Sequence, residues 1–111
     1  MAASDRAPLF TAAWDLTVGI QQRLGGDASV LARSLCQEAL ALLDAVVLAL
    51  KDIDRIDRLD QADVILIRLR LRLRLTLEAG LLEQGPVLFL LGQADDVGRQ
   101  IGGWLKSLNQ A

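Results

Sequence analysis

"IRLRLRLRLT", Ile67 to Thr76, alternates apolar and cationic side chains with a period of two. Taken alone, that is the pattern of a half-buried β-strand, with four arginines on one face and leucines on the other. A helix accounts for it better. Leucine and arginine rank near the top of helix propensity, whereas strands favour β-branched and aromatic residues. Only Val64, Ile65 and Ile67, at the start of the run, are of the second kind. A strand here would also be solitary, because no other stretch reads as its partner, and a lone strand leaves a row of backbone groups unpaired.

Winding the run at roughly 100° per residue sorts its side chains into two apolar stripes and two basic seams. Ala62, Leu66, Leu69, Leu73 and Leu77 form one stripe, and Val64, Ile67, Leu71, Leu75 and Leu82 form a second close to the opposite side. Between them run Arg68 with Arg72, and Arg70 with Arg74. One face fills a core. The other either makes this the most buried helix of the molecule or meets a second copy of the chain, which is the simpler arrangement in so small a domain. Phe89 joins the second stripe as a candidate interface residue.

Gly25-Gly26, "KDIDRIDRLD" (51–60) and "EQGP" (83–86) punctuate the rest of the chain. Four helical segments result, at about 8–24, 27–51, 57–79 and 86–108. Leu9, Ala13, Leu16, Ile20 and Leu24 make the apolar stripe of the first, with Pro8 in its opening turn. Asp27 is placed as N-cap of the second, Asp57 or Asp60 as N-cap of the third, and Gly80 as its terminator. Ser34, Gln37, Glu38, Ala41, Asp44 and Lys51 share the polar sector of the second segment. Leu91, Ala94, Gly98, Ile101, Leu105 and Leu108, with Trp104, make the buried stripe of the fourth. Short connections make an all-α, antiparallel up-down four-helix bundle the expected fold, as a single domain over residues 1–111.

Composition narrows the function. A chain of 111 residues buries roughly two thirds of its unfolded surface, and 52% hydrophobic content is more than so small a core absorbs, so some apolar surface is expected to meet another subunit. Twelve basic and fourteen acidic residues give a net charge of −2, without the strong basic excess of a typical nucleic-acid binder. "MAASDRAP" lacks the basic and apolar regions of a signal peptide, and the most apolar run, "ALALLDAVVLAL", carries Asp44 at its centre. A soluble, cytoplasmic protein with no membrane partner is expected. Catalysis finds little support. Histidine is absent, Cys36 has no base beside it in sequence, and Ser29, Ser34 and Ser107 lack triad partners. Asp95 and Asp96 point to different helix faces, and the Glu-x-x-His pair of a bundle metal site is missing. No catalytic residue, metal, cofactor or small-molecule substrate is assigned.

The arginines have two readings. They contact phosphates or an acidic partner surface, or they snorkel from the bundle edges and pair with carboxylates of neighbouring helices or subunits. Arg99 and Lys106 share the outer face of the fourth helix, and Asp95 is placed to pair with Arg99 at four-residue spacing. Gly98, Gly102 and Gly103 each cost a helix interior roughly 1 kcal/mol relative to alanine, so a packing reason is expected. Gly98 and Gly102 together would form a smooth patch for close helix approach, with Trp104 as a core or interface anchor.

"LDQADVILIRLRLRLRLTLEAGLL" (59–82) and "ADDVGRQIGGWLKSL" (94–108) resemble a family of four-helix bundles. That family includes the accessory variability determinant (Avd) of diversity-generating retroelements and the proteins encoded in intervening sequences of 23S rRNA genes. The resemblance is strongest over residues 59–108. It implies a ring-like homopentamer and, for the retroelement members, binding to a reverse transcriptase and its template RNA in support of mutagenic copying. Under that implication Arg68, Arg70, Arg72, Arg74, Arg99 and Lys106 are the candidate nucleic-acid or partner contacts, and Val64, Ile67, Leu71, Leu75, Leu82 and Phe89 the candidate oligomer interface. The acidic balance, with five aspartates between Asp52 and Asp63, suits the alternative of a self-assembling interaction bundle without nucleic acid.

Overall fold

The computed structural model describes residues 6–110, so most of the N-terminal "MAASDRAP" lies outside it. Four helices are present and, among the described residues, no strand: α1 (Ala7–Leu24), α2 (Val30–Leu50), α3 (Arg55–Glu78) and α4 (Gln84–Asn109). The arginine run is helical throughout. Each helix packs on the next and α4 closes onto α1, giving a four-helix bundle with extents of 45 × 20 × 20 Å. No helix among the described residues is long and apolar enough to cross a membrane.

The core is built where the apolar periodicities meet. Leu9, Ala13, Leu16, Ile20 and Leu24 of α1 are all buried. From α3 the buried set is Leu59, Ala62, Ile65, Leu66, Leu69, Leu73 and Thr76. Leu77, expected inside, is exposed instead, because Thr76 takes the last core position and donates its hydroxyl to the Leu73 carbonyl. A buried hydroxyl that keeps a hydrogen bond costs little. Thr17 solves the same problem in α1 by donating to Ala13 O at 2.8 Å, with Ala39 O of α2 as an alternative acceptor at 3.3 Å. In α4 the buried stripe is Val87, Leu90, Ala94, Val97, Ile101 and Trp104, rotated from the expected one; Leu91, Leu105 and Leu108 pack half-buried at its margin.

Helix ends follow local chemistry. The N-cap of α2 is Ser29 rather than Asp27: Ser29 Oγ accepts from Ala32 N–H at 3.1 Å. Asp27 accepts from Ser29 N–H at 2.7 Å, and that backbone bond, with the Ser29 side chain, holds its carboxyl below its ordinary pKa. Pro86 falls in the first turn of α4, where its missing N–H is not needed. At the end of α3, Gly80 adopts φ 73° and the N–H groups of Gly80 and Leu81 bond back to Leu77 O and Thr76 O. That is a Schellman termination, and it folds Leu81 and Leu82 back against the core.

The α2–α3 connection repeats the device without glycine. Asp52 N–H bonds to Ala49 O and Ile53 N–H to Leu48 O, with Asp52 at φ 59°. Asp54 follows at φ 49°, and α3 begins immediately, ahead of the expected caps Asp57 and Asp60. Arg55 secures the corner: its Nε donates to Ala49 O at 2.9 Å and its guanidinium lies 4.9 Å from the Trp104 ring, which Arg6 covers at 4.8 Å. A side chain in the left-handed region is strained. Asp52→Gly is therefore expected to raise the unfolding free energy by roughly 0.5–1 kcal/mol in urea titration. A loss of stability would show instead that the pair of exposed Asp52 with half-buried Arg55, at 3.6 Å, outweighs the backbone term.

Candidate functional site

α3 is the element on which the candidate residues converge. Its core face is buried, and directly opposite lies a ridge of Val64, Ile67, Leu71 and Leu75, each 49% to 61% exposed. The steps of three and four residues keep these side chains in one line, about 17 Å long at 1.5 Å per residue. Leu82 does not continue the ridge, because the turn after Gly80 packs it against the core. Phe89 is 53% exposed but sits on the α1 side of α4, where the Arg23 guanidinium lies 5.2 Å from its ring.

The basic seams flank this ridge, and three of their four arginines are held by carboxylates of adjacent helices. Arg68 and Arg72 converge from α3 on Glu38 of α2, at 3.0 Å and 2.6 Å. The Glu38 side chain is only 15% exposed, so two cations one turn apart clamp a largely buried anion across the α2–α3 seam. On the other side Arg70 Nε lies 3.1 Å from Asp95 Oδ1 of α4. The pair is electrostatic and off-axis, since that N–H does not point at an acceptor. Charge-assisted contacts across a seam fix helix register better than they add net stability.

Arg74 is different. It is exposed, and among the described residues no carboxylate lies within ion-pair distance of it. With Ile67, Arg70, Leu71, Leu91 and Asp95 it lines a shallow groove of about 450 Å³ between α3 and α4. Arg99 pairs with Asp96 at 3.1 Å rather than with Asp95, which Arg70 occupies. Lys106 is exposed in the last turn of α4, where a cation favours the helix dipole.

The Arg70 guanidinium lies over Gly98. A Cβ at position 98 would meet Arg70 Nη2 and displace the end of that flexible side chain, so the glycine is the floor on which the arginine lies. The expected smooth patch for another helix is thus filled by a side chain of α3. Gly102 and Gly103 face open space.

A second apolar surface, not anticipated as a unit, lies along the α1–α2 seam. Phe10 and Trp14 stack with ring centroids 5.9 Å apart, and both are exposed, at 38% and 50%. They line a groove of about 360 Å³ with Leu43, Val47, Leu48 and Asp44. The signal was present in the sequence: Phe10 and Trp14 stand four apart and off the Leu9–Ala13–Leu16 stripe. Cys36 is half-buried, and burial raises its thiol pKa, which lowers its reactivity. No cluster of three or more metal-capable side chains occurs among the described residues.

No protein-family model matches this chain, and no curated protein or solved structure matches it either. Glu38 generates the test of this geometry. Glu38→Gln is expected to lower the unfolding free energy by about 1 kcal/mol, and a double-mutant cycle with Arg72→Gln to return a favourable coupling of several tenths of a kcal/mol. Zero coupling would mean that the seam is held by packing alone.

Proposed function

We propose that this protein is a non-catalytic, cytoplasmic accessory bundle that works as a homo-oligomer, assembled through the outer ridge of α3. In this reading it stands beside a reverse transcriptase and its template RNA, as resemblance to the retroelement accessory bundles implies. The observation that carries the proposal is the ridge of Val64, Ile67, Leu71 and Leu75, four large aliphatic side chains in line on the side of α3 opposite its core. Fully covering such a side chain stabilises by roughly 1.5–3 kcal/mol, so the exposed half of each contributes about 1 kcal/mol on association. The absence of histidine from the sequence and the raised thiol of Cys36 support a non-catalytic role.

The charge geometry narrows which cations can serve RNA. Of the six candidate cations, Arg68, Arg70 and Arg72 are paired across the helix seams, Arg99 is exposed beside Asp96, and Arg74 and Lys106 are exposed with no carboxylate within ion-pair distance among the described residues. The pairing of three arginines favours a second reading, an interaction scaffold that assembles in the same way and binds no nucleic acid.

Leu71→Glu separates assembly from folding. It is expected to keep the helicity of the wild type and to run as a monomer in size-exclusion chromatography with light scattering. A normal oligomer carrying Leu71→Glu would refute the ridge as the interface. For the RNA reading, Arg74→Gln with Arg99→Gln is expected to weaken binding of a structured RNA about tenfold at low salt while assembly persists. Wild-type protein that retains no RNA at low salt would leave the scaffold reading in its place.

A further inference from the structure

We infer that the contact between copies is head-to-tail: the α3 ridge of one copy seats in the α1–α2 groove of the next, with Arg74 reaching Asp44. This inference rests on the proposed self-assembly and names the surface that receives the ridge. Two apolar surfaces are left open on the bundle, and they differ in kind. The ridge is convex, a single line of aliphatic side chains on one helix. The groove is a depression between α1 and α2, lined by Leu43, Val47, Leu48 and the stacked rings of Phe10 and Trp14. The two lie on different helices, so one copy can use both at once and each contact leaves a ridge and a groove free. Such heterologous contacts close into rings or run on as chains.

Charge selects this pairing over ridge against ridge. Four arginines flank the ridge against two engaged carboxylates, Glu38 and Asp95, so its edges keep a net positive charge that a two-fold contact of ridges would bring together. Like charges brought together at a desolvated edge oppose association. The groove offers the complement. Asp44 is the one charged side chain lining it, is exposed, and has no cation within ion-pair distance among the described residues. Arg74, at the edge of the ridge beside Leu71 and Leu75, likewise has no carboxylate within ion-pair distance among the described residues, and Glu78 lines the same depression one turn on. An apolar ridge with one spare cation meets an apolar groove with one spare anion.

Mixing two blocked variants tests the geometry. Leu71→Glu blocks the ridge and Trp14→Glu blocks the groove, and each alone is expected to be monomeric. Mixed in equal amounts they retain one intact ridge and one intact groove, and native mass spectrometry should show a heterodimer that grows no further. If the Trp14→Glu protein assembles like wild type, the groove is not the acceptor and this inference falls, while self-assembly through the ridge stands. If wild type is itself monomeric, both fall together. A charge exchange at exposed positions covers the case in which Trp14→Glu disturbs folding. Arg74→Glu and Asp44→Arg should each weaken assembly roughly tenfold, and the two combined in one chain should restore it to within about threefold of wild type. Absence of restoration would overturn the Arg74–Asp44 contact.

Discussion

Alternating leucine and arginine on a helix leaves leucines on two opposite sides, and a four-helix bundle has a core on only one of them. Everything distinctive about this molecule follows from that mismatch. The period of two, carried on a helix of 3.6 residues per turn, sends Leu69 and Leu73 inward while Leu71 and Leu75 point to solvent. The intervening cations fall at the two edges of α3, the seams it shares with α2 and α4. A helix so patterned has a weak preference for any single orientation. What fixes it is the chemistry at those edges.

Glu38 and Asp95 supply that chemistry from either side. One carboxylate on α2 engages two arginines a turn apart, and one on α4 engages a third, so α3 is held about its own axis by ion pairs on both flanks. Turning α3 half a turn to bury the outer ridge would exchange its two edges, taking Arg68 and Arg72 away from the largely buried Glu38 carboxylate and Arg70 away from Asp95. The seams therefore specify which stripe is core and which is ridge. They also explain how a dense arginine run sits in a chain of net negative charge: most of it is spent within the fold.

How much of this was legible in the sequence differs by helix, for physical reasons. In α1 the stripe Leu9–Ala13–Leu16–Ile20–Leu24 could be read directly, because it runs unbroken along the whole helix, whereas the second apolar feature, Phe10 with Trp14, covers one turn only. In α4 two overlapping apolar stripes compete, and the one containing Val87, Leu90 and Val97 is buried ahead of the leucine-richer alternative. Gly98 was readable as a packing position but not as the floor beneath Arg70, since its neighbour comes from another helix. The same limit applies to Glu38, Asp95 and Asp44. Periodicity places a side chain on a face, but the partner across a seam depends on the axial register of two helices, which no single helix encodes. The aromatic pair Phe10 and Trp14 is readable from its spacing in α1, but the groove it forms is not, because Leu43, Val47 and Leu48 come from another helix.

The central claim is that the outer ridge of α3 is covered by protein in the working molecule. Native mass spectrometry of the wild-type protein, purified without nuclease and measured at micromolar concentration, tests it most directly. The account predicts a discrete species at a multiple of the 12.0 kDa subunit mass, with or without further bound polymer. A single 12.0 kDa monomer across that range would contradict it and return the ridge to unexplained exposed surface.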